Sequence, residues 1–284
     1  MSIGLWVRGA RPKTLATSIA SVMVGATMAY AHIEQSGTCI AIYPEPASCA
    51  TAREQQTLLM DRFWPVTILC LLVALFLQIA VNYANDYSDG IRGTDAGRDT
   101  DESKSGKPQR LTASGLVPAK HVLFAAMICA AIACICGIAA IVISQAWWLF
   151  AVGVASLLAG WFYTGGKKPY GYMGLGEIFV FVFFGLVATA GTTYTQSLQV
   201  PWQAWLAACS IGLLACALLM VNNIRDIPTD AVTGKHTQAV RLGDTKARLA
   251  YDAMLLLPFV FALAYLPALG WPLLVCLFPA AWLT

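Results

Sequence analysis

The stretch FWPVTILCLLVALFLQIAVNYANDYSD, Phe63 to Asp89, is a long apolar run that ends in a cluster of Asn and Asp. Residues 63–84 suffice to cross a bilayer's hydrocarbon core, which takes about 20 residues of helix. Comparable runs lie near 14–33, 119–142, 146–164, 174–196, 202–223, 248–266 and 269–284. Only 12% of residues are charged, 58% are hydrophobic and the mean hydropathy is +0.65. A soluble domain carries about 25% charged residues, so a water-soluble fold is excluded. The prediction is an all-α, polytopic bundle of eight membrane helices forming one domain over 1–284. The breaks Ser144-Gln145-Ala146-Trp147, Gln199-Val200-Pro201-Trp202 and Leu269-Gly270-Trp271-Pro272 put Trp at the water boundary, where amphipathic rings settle.

Charge sets the orientation. If the loop 34–62 lies outside, Arg53 and Arg62 are the outer bases and the rest of the 18 Lys and Arg fall on the other face. The positive-inside rule makes that face cytoplasmic, with the N-terminus and both Asp-rich segments on it. The expected location is the cell membrane. A net charge of +3 does not call for a nucleic-acid partner. The start, Arg8-Gly-Ala-Arg11-Pro-Lys13 followed by an apolar run and Ala29-Tyr30-Ala31, imitates a signal peptide. The run is long enough to span, so it is read as a retained helix. Cys70, Cys129, Cys134, Cys136, Cys209, Cys216 and Cys276 sit in apolar runs as small core residues, whereas Cys39 and Cys49 share the outer loop, where an oxidising compartment permits a disulfide.

The segment 82–95 and a second one, Asn222-Asn-Ile-Arg225-Asp226-Ile-Pro-Thr-Asp230, each gather Asp and Asn at the end of an apolar run in a chain with only 15 Asp and Glu. Helical spacing puts Asn82, Asp86 and Asp89 on one face with Asn85 at its shoulder, and Asn222, Asp226 and Asp230 recur at i, i+4, i+8. Carboxylates gathered at helix C-termini repel each other and the macrodipole, so a cation is expected to neutralise them. Oxygen donors without His or Cys select a hard ion, and Mg²⁺ keeps sites for substrate phosphates. Arg92, Arg110, Lys168, Arg225 and Lys235 lie beside the segments and supply donors for a diphosphate. By contrast, Asp99 to Lys107 has mixed charge with Ser and Gly and reads as a solvated loop. A cation or proton transporter, the reading outside enzymes, would place its acids near the bilayer midplane with broken half-helices.

These segments resemble the NDxxD and DxxxD signatures of UbiA-type intramembrane prenyltransferases. Ala10-Arg11-Pro12-Lys13-Thr14, Tyr163-Thr-Gly165-Gly166-Lys-Lys168-Pro169-Tyr170, Gly174-Leu-Gly176-Glu177 and Ala239-Val-Arg241-Leu-Gly243 resemble, more narrowly, the branch that acts on 1,4-dihydroxy-2-naphthoate in menaquinone biosynthesis. The resemblance covers about residues 5 to 250. It implies a bundle around a central cavity, a polyprenyl diphosphate held with Mg²⁺ at the cytoplasmic end, a tail running toward lipid, and loss of diphosphate and CO₂ to give demethylmenaquinone. It assigns Asn85, Asp86, Asp89, Asp226 and Asp230 to metal and diphosphate, with Asn82 and Asn222 completing the metal set. Tyr163 is expected to face the allylic cation, which aromatic faces attract. Arg11, Lys13 or Lys168 would meet the acceptor's carboxylate and Glu177 a ring hydroxyl. Within the family the alternative acceptors are 4-hydroxybenzoate and homogentisate. The family has nine membrane helices, whereas this sequence stops at Thr284 inside its eighth apolar run, so a truncated or reduced C-terminus is expected. The family's first motif often ends in an Asp at the position held here by Gly93, and Asp95 stands nearby.

Overall fold

The computed structural model describes residues 3–37, 46–94 and 110–265. The run 269–284, Asp95, the stretch 99–107, Cys39 and Cys276 lie outside the described residues. Eleven helices are labelled in chain order: α1 Ile3–Gly9, α2 Pro12–Ser36, α3 Pro46–Asp61, α4 Phe63–Arg92, α5 Ala119–Ser144, α6 Leu149–Phe162, α7 Gly176–Ser197, α8 Trp202–Arg225, α9 Ile227–Val232, α10 Gln238–Leu242 and α11 Asp244–Leu263. Five of them, α2, α4, α5, α7 and α8, are long and apolar enough to cross a membrane. This is a multi-pass membrane protein.

The remaining predicted spans differ for local reasons. The run 146–164 yields α6, whose 14 residues rise only ~21 Å. The run 248–266 belongs to α11, which begins at Asp244 and carries Lys246, Arg248 and Asp252 on its first turns. Cys49 is disulfide-bonded, and the six described cysteines of the apolar helices are free thiols.

The helices pack α4 along α5, α8 along α7 and α11, and α2 against α4 and α7. Backbone polar groups in such a bundle are met within each helix. Close approach depends on small residues. A Cβ on Gly185 in α7 would lie 2.6 Å from the Gly212 Cα and 2.8 Å from the Ala208 carbonyl of α8, and one on Gly25 in α2 would meet the Thr189 carbonyl of α7 at 2.3 Å. The obstructing atoms are backbone and cannot rotate away. Thr193 also donates to the Gly25 carbonyl at 2.9 Å, locking that crossing. Gly185→Val is expected to push α7 off α8 and cost ~1–3 kcal/mol. Thermal unfolding in detergent should show an earlier transition; an unchanged midpoint would disprove the close-packing account.

At one end, Arg62 caps neighbouring helices by donating to the carbonyls of Ile143 (3.4 Å), Ser144 (3.3 Å) and Gln196 (3.2 Å). A cation there complements two helix C-termini. From Arg62 to Asp89, α4 rises ~40 Å, so the acids gather at the opposite end.

Candidate active site

Helix α4 carries the first acidic segment to that end and stops at Gly93, whose left-handed backbone (φ 70°) lets its N–H reach the carbonyls of Asp89 and Gly90. Opposite, α8 ends at Asp226 and the short α9 starts with Pro228 in its first turn. The stripe 222–226–230 is therefore not one continuous helix, although Asp230 N–H still donates to the Asp226 carbonyl at 2.8 Å. A single cavity of about 1990 Å³ runs between these segments, lined by Asn82, Asn85, Asp89, Asn222, Asp226 and Asp230, with Arg110, Arg225 and Lys235 beside them. Its walls are otherwise mostly apolar and extend through α4, α5, α6 and α7 as far as Trp148 and Tyr194 at the other end.

The carboxylates have distinct surroundings. Asp89 is buried, accepts from the Tyr172 hydroxyl at 2.5 Å and pairs with Lys235 Nζ at 3.2 Å. Lys235 also lies 4.8 Å from the Tyr172 ring centroid, a cation–π contact. Burial first, and the Asp89 carboxylate next, raise the Tyr172 pKa above its ordinary value, so the phenol remains a donor at neutral pH. Asp226 accepts from Nε and Nη2 of the half-exposed Arg225, at 2.7 and 2.9 Å. Asn85 accepts from Thr164 at 2.8 Å. Asn222 donates to the Leu218 carbonyl at 2.8 Å.

Asp86 stands apart. It is almost fully buried, does not line the cavity, and its two oxygens accept the backbone N–H groups of Leu111 (2.9 Å) and Thr112 (2.8 Å). The expected face had Asn85 at its shoulder; in the fold Asp86 occupies the shoulder and Asn85 the cavity. Arg92 and Lys168 also fall outside the lining: Arg92 donates to the Gly166 carbonyl and lies 5.6 Å from the Tyr172 ring, and Lys168 is exposed. Tyr163 does line the cavity, edge-on to Tyr170 at 5.5 Å, with Arg11 and Asp89 within electrostatic reach. Glu177 sits behind the wall, accepting from Asn223 at 2.9 Å.

A model of the UbiA prenyltransferase family matches residues 58–284. The chain belongs to that family. It is also 42% identical over 270 residues to 1,4-dihydroxy-2-naphthoate octaprenyltransferase of Mycobacterium tuberculosis, covering 95% of this chain and 80% of that one. The same-named enzymes of Mycobacterium leprae (41% over 271 residues; 95% and 80%) and Haemophilus influenzae (37% over 267 residues; 92% and 76%) are similar over like extents.

For a UbiA prenyltransferase the donor set has one notable property. Among the described residues, no three His, Cys, Asp or Glu side chains converge into a ready-made cage. The available donors are carboxylate and amide oxygens from two segments, which suits Mg²⁺, an ion that takes one or two carboxylates and completes its shell with water and phosphate. Tyr172, in sequence one of several tyrosines able to face a cation, and Thr164 hold Asp89 and Asn85. Their signal is slight, since a Tyr or Thr in a loop has no periodicity to mark it. Gln78 continues the polar face Asn82, Asn85, Asp89 inward at helical spacing, and a polar side chain inside an apolar span is costly to place there.

Proposed function

We propose that this chain transfers a polyprenyl group from its diphosphate to 1,4-dihydroxy-2-naphthoate, with loss of diphosphate and CO₂, giving demethylmenaquinone. The observation that carries the proposal is the cavity: its polar end joins acids of two segments with Lys235, Arg110 and Arg225, and the rest is an apolar passage suited to a lipid tail. The named relatives supply the acceptor.

Asn85, Asp89, Asn222, Asp226 and Asp230 would hold Mg²⁺. When bound, that ion supplies positive charge against the departing diphosphate. Lys235 and Arg110 bind the diphosphate's outer oxygens, and Arg225 keeps Asp226 oriented toward the cavity rim. Asp89 positions both Lys235 and the Tyr172 hydroxyl, so one carboxylate organises a cation and a neutral donor. Tyr163 offers an aromatic face to positive charge developing on the allylic carbon while the apolar wall excludes water. Because every base but Arg53 and Arg62 falls on one face, the polar end and the N-terminus lie at the cytoplasmic side of the cell membrane.

The test is incubation of membranes containing the protein with Mg²⁺, a radiolabelled polyprenyl diphosphate and, separately, 1,4-dihydroxy-2-naphthoate, 4-hydroxybenzoate and homogentisate. A lipid-soluble product should form with the naphthoate and vanish with EDTA. Asp226→Ala and Asp230→Ala should each lower the rate by ~100-fold or more, the range seen when a charge-stabilising contact is removed. Product from another acceptor alone, or full activity in EDTA, would overturn the corresponding part.

A further inference from the structure

Deep to the acids, α2 and α4 hold a small polar site whose hydrogen-bonding capacity is open. Asn82 Nδ2 donates to the Ala10 carbonyl at 2.8 Å and to Thr14 Oγ1 at 3.0 Å. A carbonyl only accepts, so this bond fixes the Asn82 amide, and its Oδ1 must face Gln78. Gln78 therefore turns its Nε2 to Asn82 Oδ1 (3.2 Å) and Thr14 Oγ1 (3.4 Å), leaving Oε1 without a partner. Gln78 is only 9% exposed, and it lines the cavity. An unmet acceptor in such a place is costly unless something bound there satisfies it.

Arg11 is the complementary half. It also lines the cavity, and its buried Nη2 has no partner. Its backbone adopts the left-handed region at φ 53°, immediately before Pro12, where a residue with a side chain is disfavoured and an extended conformation is usual. The turn is pinned at both sides: Arg11 N–H donates to the Arg8 carbonyl at 3.0 Å, and Thr14 N–H and Oγ1 both donate to the Arg11 carbonyl at 2.9 Å. Strain held this firmly is a mark of functional positioning. Thr14 joins the two halves, since it accepts from Gln78 and donates to Arg11.

A cationic donor and a neutral acceptor lining the same cavity, both joined to Thr14, select their ligand. A diphosphate carries no donor and would leave Gln78 Oε1 empty. A plain phenol has nothing anionic for Arg11. An aromatic acid with a hydroxyl ortho to its carboxylate satisfies both, with the guanidinium on the carboxylate and the hydroxyl donating to the amide oxygen. We infer that Arg11 and Gln78 read the carboxylate and the adjacent hydroxyl of the aromatic acceptor. The inference rests on the proposed acceptor chemistry and assigns it to two residues. Of the other bases expected to meet this carboxylate, Lys168 is exposed and off the cavity, and Lys13 borders the cavity but is itself exposed, without the buried unmet donor that Arg11 presents; Glu177 is behind the wall.

The test uses purified full-length protein in nanodiscs and equilibrium binding of three stable probes: 1-hydroxy-2-naphthoate, 2-naphthoate without the hydroxyl, and 1-naphthol without the carboxylate. Wild type should bind the first at least ~10-fold more tightly than either of the others. Arg11→Met and Arg11→Lys should lose ~10-fold or more for the two carboxylates and leave 1-naphthol unchanged, Lys because it lacks the planar fork. Gln78→Met should weaken the hydroxylated acid several-fold and leave 2-naphthoate unchanged. Geranyl diphosphate affinity should hold in every variant, which also reports that the fold is intact. Equal losses for all probes, or loss of geranyl diphosphate binding alone, would overturn the assignment while leaving the acceptor reading standing. Failure of wild type to bind any naphthoate would overturn both.

Discussion

Asp89→Asn should lower prenyl transfer by ~100-fold or more and destabilise the protein, and adding Lys235→Met should restore stability without restoring activity. Both side chains of this pair are over nine-tenths buried. Removing one charge leaves the other uncompensated in a low-dielectric site, which costs ~3–5 kcal/mol, whereas replacing both is close to neutral. The single variant also gives the Tyr172 hydroxyl a neutral amide in place of the carboxylate it donates to. The double variant separates folding from chemistry, since it relieves the buried charge but removes the cation proposed to bind diphosphate and a carboxylate together. Thermal unfolding and single-turnover product formation on the same preparations measure the two effects. Recovery of activity along with stability would show that the pair is structural only.

Asp86→Asn should act mainly on the fold, in contrast. Asp86 accepts two backbone N–H groups with its two carboxylate oxygens, whereas Asn has one accepting oxygen and would turn an N–H₂ against the other amide. Charge-assisted bonds of this kind contribute ~1.5–3 kcal/mol each, and an N–H left buried costs ~1–3 kcal/mol more. Loss of folded protein and faster proteolysis near residue 110 are therefore expected. The Mg²⁺ concentration for half-maximal rate should stay constant in whatever activity remains, while Asp226→Asn should raise it. A large shift in that concentration for Asp86→Asn would return Asp86 to the metal set.

These two residues show how far the sequence reads and where it stops. Helical periodicity places 82, 86 and 89 on one face with 85 at its shoulder, whereas the face turned to the cavity carries 82, 85 and 89. Within it, the division of labour depends on what packs on each flank. The backbone at 111–112 claims Asp86, and Thr164 and Lys235 come to Asn85 and Asp89 from 79 and 146 residues away in sequence. Nothing in local spacing encodes those partners. Arg92 follows the same rule: its position beside the acids is a fact of sequence, but at the last residue of α4 its side chain turns to the Gly166 carbonyl.

By itself the sequence determined what short-range physics controls. Apolar run length marked the five long membrane helices, the Lys and Arg distribution predicted one polar end, and oxygen donors at helical spacing pointed to a candidate site in two segments. Tertiary structure alone decided which oxygens reach the cavity, which cation is buried against Asp89, and that Arg11 and Gln78 share Thr14. Those outcomes depend on the packing of α2, α4, α7 and α8, held by close glycine contacts where α7 meets α2 and α8 and by buried hydrogen bonds between residues far apart in the chain.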